Sequence, residues 1–323
     1  MNLLLSVGLI FAGIALIVYF AEKLVEAAVG TARGFGLSAF VVSVVFIGFD
    51  PENLGVGAVG TYEGVAGIAL GSIIGAALVA IALAFGITAL FAPMEFAQAP
   101  GTVLVLPIVA VVLFGALCLD GELSRADGGI LLASYAAAVG YLLHLSRRGV
   151  QIEPAEGREM REAERLGRWK AFFLLVLSLV AITGGGEMVV RGSKTVIERL
   201  GISETFFGMT ILAFMVSIEE LARELPAALE GRAEIAFGNV VGSIFAFFLL
   251  NAGIIALVRP IPVERQVLAF HLPVAVVTTI LVSGIVMTRR VPRWAGVLLV
   301  TLYVGFIIGS YVIGRGPGRF PAS

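Results

Sequence analysis

The chain has 323 residues, 59% of them hydrophobic and only 14% charged, with a formal net charge of −1. A soluble domain carries about 25% charged residues, so this composition excludes an ordinary soluble fold, and the near-neutral charge argues against nucleic acid as a partner. The single Cys118 excludes a disulfide framework, and the two histidines, His144 and His271, leave little for a zinc site.

The apolar segments are continuous rather than alternating, which indicates helical spans and not barrel strands. At about 20 residues per span, the sequence predicts an all-α integral membrane protein with ten transmembrane helices. They fall at about 2–32, 37–61, 65–91, 101–119, 128–146, 169–199, 203–229, 233–258, 266–288 and 293–314. No basic stretch precedes residues 3–20, so these are expected to form the first span and not a cleaved signal. The longest polar stretch, 147–168, is expected to be a solvated linker. It separates a first half, 1–146, from a second half, 169–323. Five spans per half is an odd number, so the second half must enter the membrane from the opposite side. The halves are then two inverted five-helix repeats, an arrangement that puts a binding site at the midplane between them. Lys23, Arg33, the basic residues between Arg147 and Lys170, Arg232 and Arg289, Arg290 and Arg293 fall on one side. Their excess over the other side predicts an outside N-terminus and a cytoplasmic linker. A compact chain of this kind is expected in a prokaryotic plasma membrane.

The halves also repeat at the level of residues. Glu52-Asn53 falls on Glu219-Glu220, Glu63-Gly64 on Glu230-Gly231, and Gly71 and Gly75 on Gly238 and Gly242, at a constant offset of 167 (52 to 219). Gly36-Leu37-Ser38 falls on Gly201-Ile202-Ser203 after a shift of two. Both copies place carboxylates inside apolar segments, where an acid is costly unless paired, protonated or bound to a cation.

In the second copy, Ser217, Glu220 and Glu224 are spaced to share one helix face, with Glu219 and Arg223 on a neighbouring one. Arg223 can satisfy one acid, most naturally Glu219. That leaves Glu220 to meet a cation, with Ser217 adding a neutral oxygen. The plainer alternative is a salt-bridge network that only holds helices together. In the first copy, Asp50 and Asn53 share a face, and Glu52 lies one position off it, as Glu219 does. Pro51 removes a backbone donor and kinks the helix, freeing a carbonyl near residue 47, and broken membrane helices are tolerated where they line a cavity. A cap in the headgroup region is the plainer reading of Asp50-Pro51. The glycines at four-residue spacing suit close helix packing. Ser243 and Asn239 are polar groups in an apolar stretch that either reach the site or bond a neighbouring helix, and Asn251 reads as structural. Glu22 and Glu187 read as interfacial.

With these residues in view, the chain resembles the calcium/cation antiporter superfamily, the group of the sodium/calcium exchangers. The second copy carries Gly201-Ile202-Ser203-Glu204-Thr205, Gly208, Met215-Val216-Ser217-Ile218-Glu219-Glu220 and Gly238-Asn239-Val240-Val241-Gly242-Ser243. The first keeps Gly48-Phe49-Asp50-Pro51-Glu52-Asn53 and Gly71-Ser72-Ile73-Ile74-Gly75. The resemblance implies two inverted five-helix halves and transport of Ca²⁺ against Na⁺ or H⁺ by alternating access. It also implies a cation site drawn from Asp50, Glu52, Asn53, Ser217, Glu219, Glu220 and Ser243. There are departures. The motif glutamate is kept as Glu220 but becomes Asn53 in the first copy, unless a one-residue shift puts Glu52 there. The later motif asparagine becomes Ala80 and Phe247, while acids appear at Asp50, Glu52 and Glu219. Fewer neutral oxygens argue against a full set of sodium sites.

The expected function is a secondary active cation antiporter with no cofactor and no enzymatic activity, its partners being the transported ions and the bilayer. Asp50 and Glu220 would bind the cation from the two halves, while Glu52 and Glu219 would tune the site or carry protons. One rival is an ion-binding sensor or scaffold of the same fold. Another is an intramembrane enzyme, since Glu219-Glu220-Leu221-Ala222-Arg223 is superficially like a prenyl-protease motif. That chemistry needs histidines on other helices, and the arginine spacing is one residue short.

Overall fold

The computed structural model describes residues 2–34, 49–96, 101–147 and 167–314. Most of the predicted linker and the first part of the predicted second span therefore lie outside the described residues. The rest is almost entirely helical. Helix α1 is Leu3–Gly34, α2 is Pro51–Tyr62, α3 is Ala66–Phe91, α4 is Gly101–Leu117, α5 is Arg125–Arg147 and α6 is Arg168–Leu200. The predicted span at 203–229 is two helices, α7 (Glu204–Ser217) and α8 (Glu219–Leu229), bent by 48° at Ile218. Helix α9 covers 233–258, α10 is Val267–Met287 and α11 is Arg293–Gly314. Among the described residues, seven helices are long and apolar enough to cross a membrane, eight if the bent pair is one span.

The layering follows composition. Helices α3 and α9, built from Ala, Gly and aliphatic residues, are each 83% buried over their apolar windows, whereas α1 is 22% buried. The inner helices are thus wrapped in protein, and the apolar outer faces of α1, α5 and α11 are left for lipid. Helices α1 and α6 run antiparallel along their length. A Cβ on Gly13 would lie 2.6 Å from the Gly185 carbonyl oxygen, and one on Gly192 would lie 2.6 Å from that of Ser6. Helix α3 crosses α7 just as closely, since a Cβ on Gly71 would sit 2.3 Å from the backbone of Gly208. This is the close backbone approach expected from glycine spacing in α3. Gly238, its counterpart in α9, has open space around it among the described residues.

Several contacts occur twice. Strand β1 (Met94–Glu95), after α3, pairs antiparallel with β4 (Arg290–Val291), before α11. Strand β3 (Ile261–Pro262), after α9, pairs with β2 (Glu122–Leu123), before α5. Likewise Gly296 of α11 meets the Gly86 carbonyl of α3, and Gly128 of α5 meets the Gly253 carbonyl of α9. The inner helices share a further irregularity. Both α3 and α9 widen to i→i+5 turns at matching places, Val79–Ala84 and Ala246–Asn251. Such widened turns often mark functional segments.

Candidate cation site

The start of α2 and the bend between α7 and α8 build the site. In the first half, Asp50 ends the approach to α2 and caps it, its side chain accepting from the Asn53 amide at 2.7 Å. Pro51 follows at the first helical position, where its missing N–H costs nothing. In the second half, the chain breaks between Ser217 and Glu219. Positions 50 and 217 are equivalent in the repeat, so the start of α2 in the first half corresponds to the end of α7 in the second. Asp50 is a cap, as the plainer reading held, but it is not at a surface: it is 1% exposed. A carboxylate at a helix N-terminus meets free amide donors and a favourable dipole, which offsets part of its burial. Glu52 stands in the first turn of α2, and Glu219 and Glu220 in the first turn of α8.

The breaks face each other. Asn53 Nδ2 donates to Asp50 Oδ2 at 2.9 Å and to Ser217 Oγ at 2.8 Å, linking the halves through one side chain. Asn251, at the widened turn of α9, donates to the Asp50 carbonyl at 3.2 Å. Carboxylate oxygens of Asp50, Glu52 and Glu219 all lie within 4.8 Å of one another, a spacing that could hold a metal ion. Arg223 Nη2 lies 3.0 Å from Glu219 Oε1 and 3.9 Å from Glu52 Oε1. The expected Glu219–Arg223 pairing is therefore present, and Arg223 also reaches the first half. Glu52 Oε2, Asn53 Oδ1 and Ser243 Oγ are buried and have no hydrogen-bond partner among the described residues. Buried polar atoms are rarely left so, and oxygens of this kind suit a hard cation.

Glu220 is buried too, but turns to α9. Asn239 Nδ2 donates to Glu220 Oε2 at 2.6 Å and to Glu224 Oε1 at 2.9 Å. The acid that joins Asp50 and Glu52 in the three-carboxylate group is thus Glu219, one residue before the motif glutamate. All seven candidate residues are buried or part-buried, Ser243 on α9 without a hydrogen bond to the others, and sequence reasoning underweighted three further residues. Glu224 is 0% exposed, and its spacing from Glu220 was the available signal. Asn239 bridges both acids, and Asn251 anchors the cap of α2. His271 is a packed residue bonded to the Gln266 carbonyl and Ser310 Oγ.

The sequence profile of the sodium/calcium exchanger protein family matches residues 5–144 and 170–312, both sides of the linker. The chain belongs to the sodium/calcium exchanger family. This is a family of membrane transporters, not of enzymes. The chain is 27% identical to sodium/calcium exchanger MaX1 of Methanosarcina acetivorans over 349 aligned positions, covering 96% of this chain and 98% of the other. It is 29% identical to inner membrane protein YrbG of Escherichia coli, covering 95% and 96%. A solved structure of the sodium-calcium exchanger NCX_Mj soaked with 2.5 mM Na⁺ and 10 mM Sr²⁺ superimposes with a TM-score of 0.61 at 25% identity, covering 95% of this chain and 99% of that one. The exchanger fold thus extends over both halves.

Proposed function

We propose that this exchanger-family member is a secondary active antiporter that moves Ca²⁺ against Na⁺ or H⁺ by alternating access. The observation that carries the reading is the convergence of Asp50, Glu52 and Glu219, from the start of α2 in one half and of α8 in the other, beside buried oxygens that have no hydrogen-bond partner among the described residues. In this reading Asp50, Glu52, Glu219 and Glu220 supply negative charge to the cation. Asn53, Ser217 and Ser243 supply neutral oxygens. No cofactor is needed, because the ions are the cargo. Coupling follows from electrostatics. An empty, ionised cluster is too costly to occlude, so the carrier crosses its midpoint only when a divalent ion, monovalent ions or protons neutralise the acids.

The wider architecture we propose is ten spans in two inverted five-helix halves, joined by a cytoplasmic linker, with the N-terminus outside a prokaryotic plasma membrane. The doubled contacts support it: β1 with β4 and β3 with β2, α3 with α11 and α9 with α5, are related by exchange of the halves. The antiparallel run of α1 and α6 fits a second half that enters the membrane from the other side. The bacterial and archaeal sources of the relatives fit the location.

The test is radioactive calcium uptake into liposomes holding the purified protein, under an outward Na⁺ gradient and then an outward H⁺ gradient. Uptake driven by one gradient and lost in Glu220→Gln is expected, and the gradient that works names the coupling ion. No uptake under either gradient from folded protein would overturn the calcium assignment.

A further inference from the structure

The three-carboxylate group contains a positive charge of its own. Arg223 extends from α8 so that one guanidinium nitrogen approaches Glu219 of its own half and Glu52 of the other, at 3.0 and 3.9 Å. The two sides of this arrangement differ in access. Glu52 is 1% exposed, whereas the Arg223 side chain is 44% exposed. Arg223 is therefore the accessible member of the pair, on a long stem with many rotamers open to it. Among the described residues, its hydrogen-bonded partner is Glu219.

We propose that Arg223 is a tethered competitor of the transported ion and sets divalent-over-monovalent selection at this centre. This rests on the antiporter reading of the same site. With no ion bound, the guanidinium neutralises one of the three charges of Asp50, Glu52 and Glu219. An incoming cation must displace it from Glu52 and Glu219. A monovalent ion that does so replaces one positive charge by another and gains no net Coulomb attraction. A divalent ion gains one extra unit of charge against the same carboxylates. Arg223 therefore taxes every cation, but only a divalent one overcomes the tax in net charge. On release the guanidinium returns to the carboxylates and hastens departure of the ion.

Two measurements on the full-length protein test this: divalent-ion binding in detergent by calorimetry with CaCl₂, and calcium uptake in proteoliposomes with added NaCl. R223Q, which keeps the length of the side chain without its charge, is expected to bind Ca²⁺ roughly tenfold more tightly, as loss of a nearby like charge should. It should also become sensitive to competing Na⁺ at concentrations that the wild type tolerates, with R223K between the two. A structural role for Arg223 predicts the opposite, weaker Ca²⁺ binding, and that result or unchanged binding overturns the proposal. If R223Q does not fold, E219Q/R223Q removes the pair as neutral isosteres and is compared with E219Q alone. Tighter binding in the double variant supports the competitor, and equal or weaker binding overturns it. The antiporter reading fails separately: wild-type protein that binds Ca²⁺ but transports none sinks that reading, while the binding comparison still decides the role of Arg223.

Discussion

Asn53 donates to Ser217 across 2.8 Å, and this hydrogen bond joins the first turn of α2 to the end of α7. The same Nδ2 group donates to the Asp50 carboxylate, so Asn53 ties the cap of α2 to the end of α7. Any movement of one half against the other at this level must break or carry that bond. Asn53→Ala is therefore expected to weaken Ca²⁺ binding by about tenfold or more, in line with roughly 1.5–3 kcal/mol for a lost hydrogen bond to a charged group. Ser217→Ala should have a smaller effect, since it leaves the Asn53–Asp50 bond in place. Calorimetric Ca²⁺ titration of both single variants and the double variant measures the coupling. Strictly additive effects would show that the bond does not join the halves.

The crossing of α3 and α7 depends on the absence of side chains. A Cβ on Gly71 would fall 2.3 Å from the backbone of Gly208, and one on Gly208 would fall 2.0 Å from the Gly67 carbonyl oxygen. These neighbours are backbone and cannot rotate aside, so the helices must separate. Gly71→Ala and Gly208→Ala are each expected to destabilise the protein by about 1–3 kcal/mol, the usual range for overpacking. Gly238→Ala, with open space around it among the described residues, should cost less. Melting of the purified variants in detergent, followed by size-exclusion chromatography, gives the ranking. Equal melting temperatures for Gly71→Ala and Gly238→Ala would refute the close crossing.

The membrane class and most helix positions among the described residues were legible because lipid leaves few alternatives: a continuous apolar run has to close its own hydrogen bonds as a helix. The breaks were legible in part. Pro51 announced one, but nothing at Val216-Ser217-Ile218 marks a 48° bend, since no proline or glycine stands there. The repeat was the usable signal, because it maps the Asp50-Pro51 break onto Ser217. Which acid would join Asp50 was not legible. Glu219 and Glu220 are adjacent, so they point about 100° apart on a helix. The bend at Ile218 rotates α8 and decides which of them faces Glu52. The bridging role of Asn239 was hidden for a related reason. A polar residue in an apolar run shows that it needs a partner, and only the packing of α8 on α9 shows that it has two.

Asn239 holds two acids with one amide. Its Nδ2 donates to Glu220 and Glu224, both buried, and Glu224 Oε2 has no partner among the described residues. Removing the amide leaves two buried carboxyl groups without a donor, and each unsatisfied group costs about 1–3 kcal/mol. Asn239→Ala is therefore expected to lower the melting temperature more than Glu224→Gln, which keeps the shape and removes one charge. Asn239→Ala/Glu224→Gln should recover part of the loss, because one acid no longer needs neutralising. Added CaCl₂ should also raise the melting point of Asn239→Ala, since a bound cation can compensate Glu220 where the amide is gone. A thermal melt of the three variants with and without CaCl₂ checks the order. Asn239→Ala melting like the wild type would mean that the two acids are satisfied from elsewhere, and the bridge would then be incidental to the site.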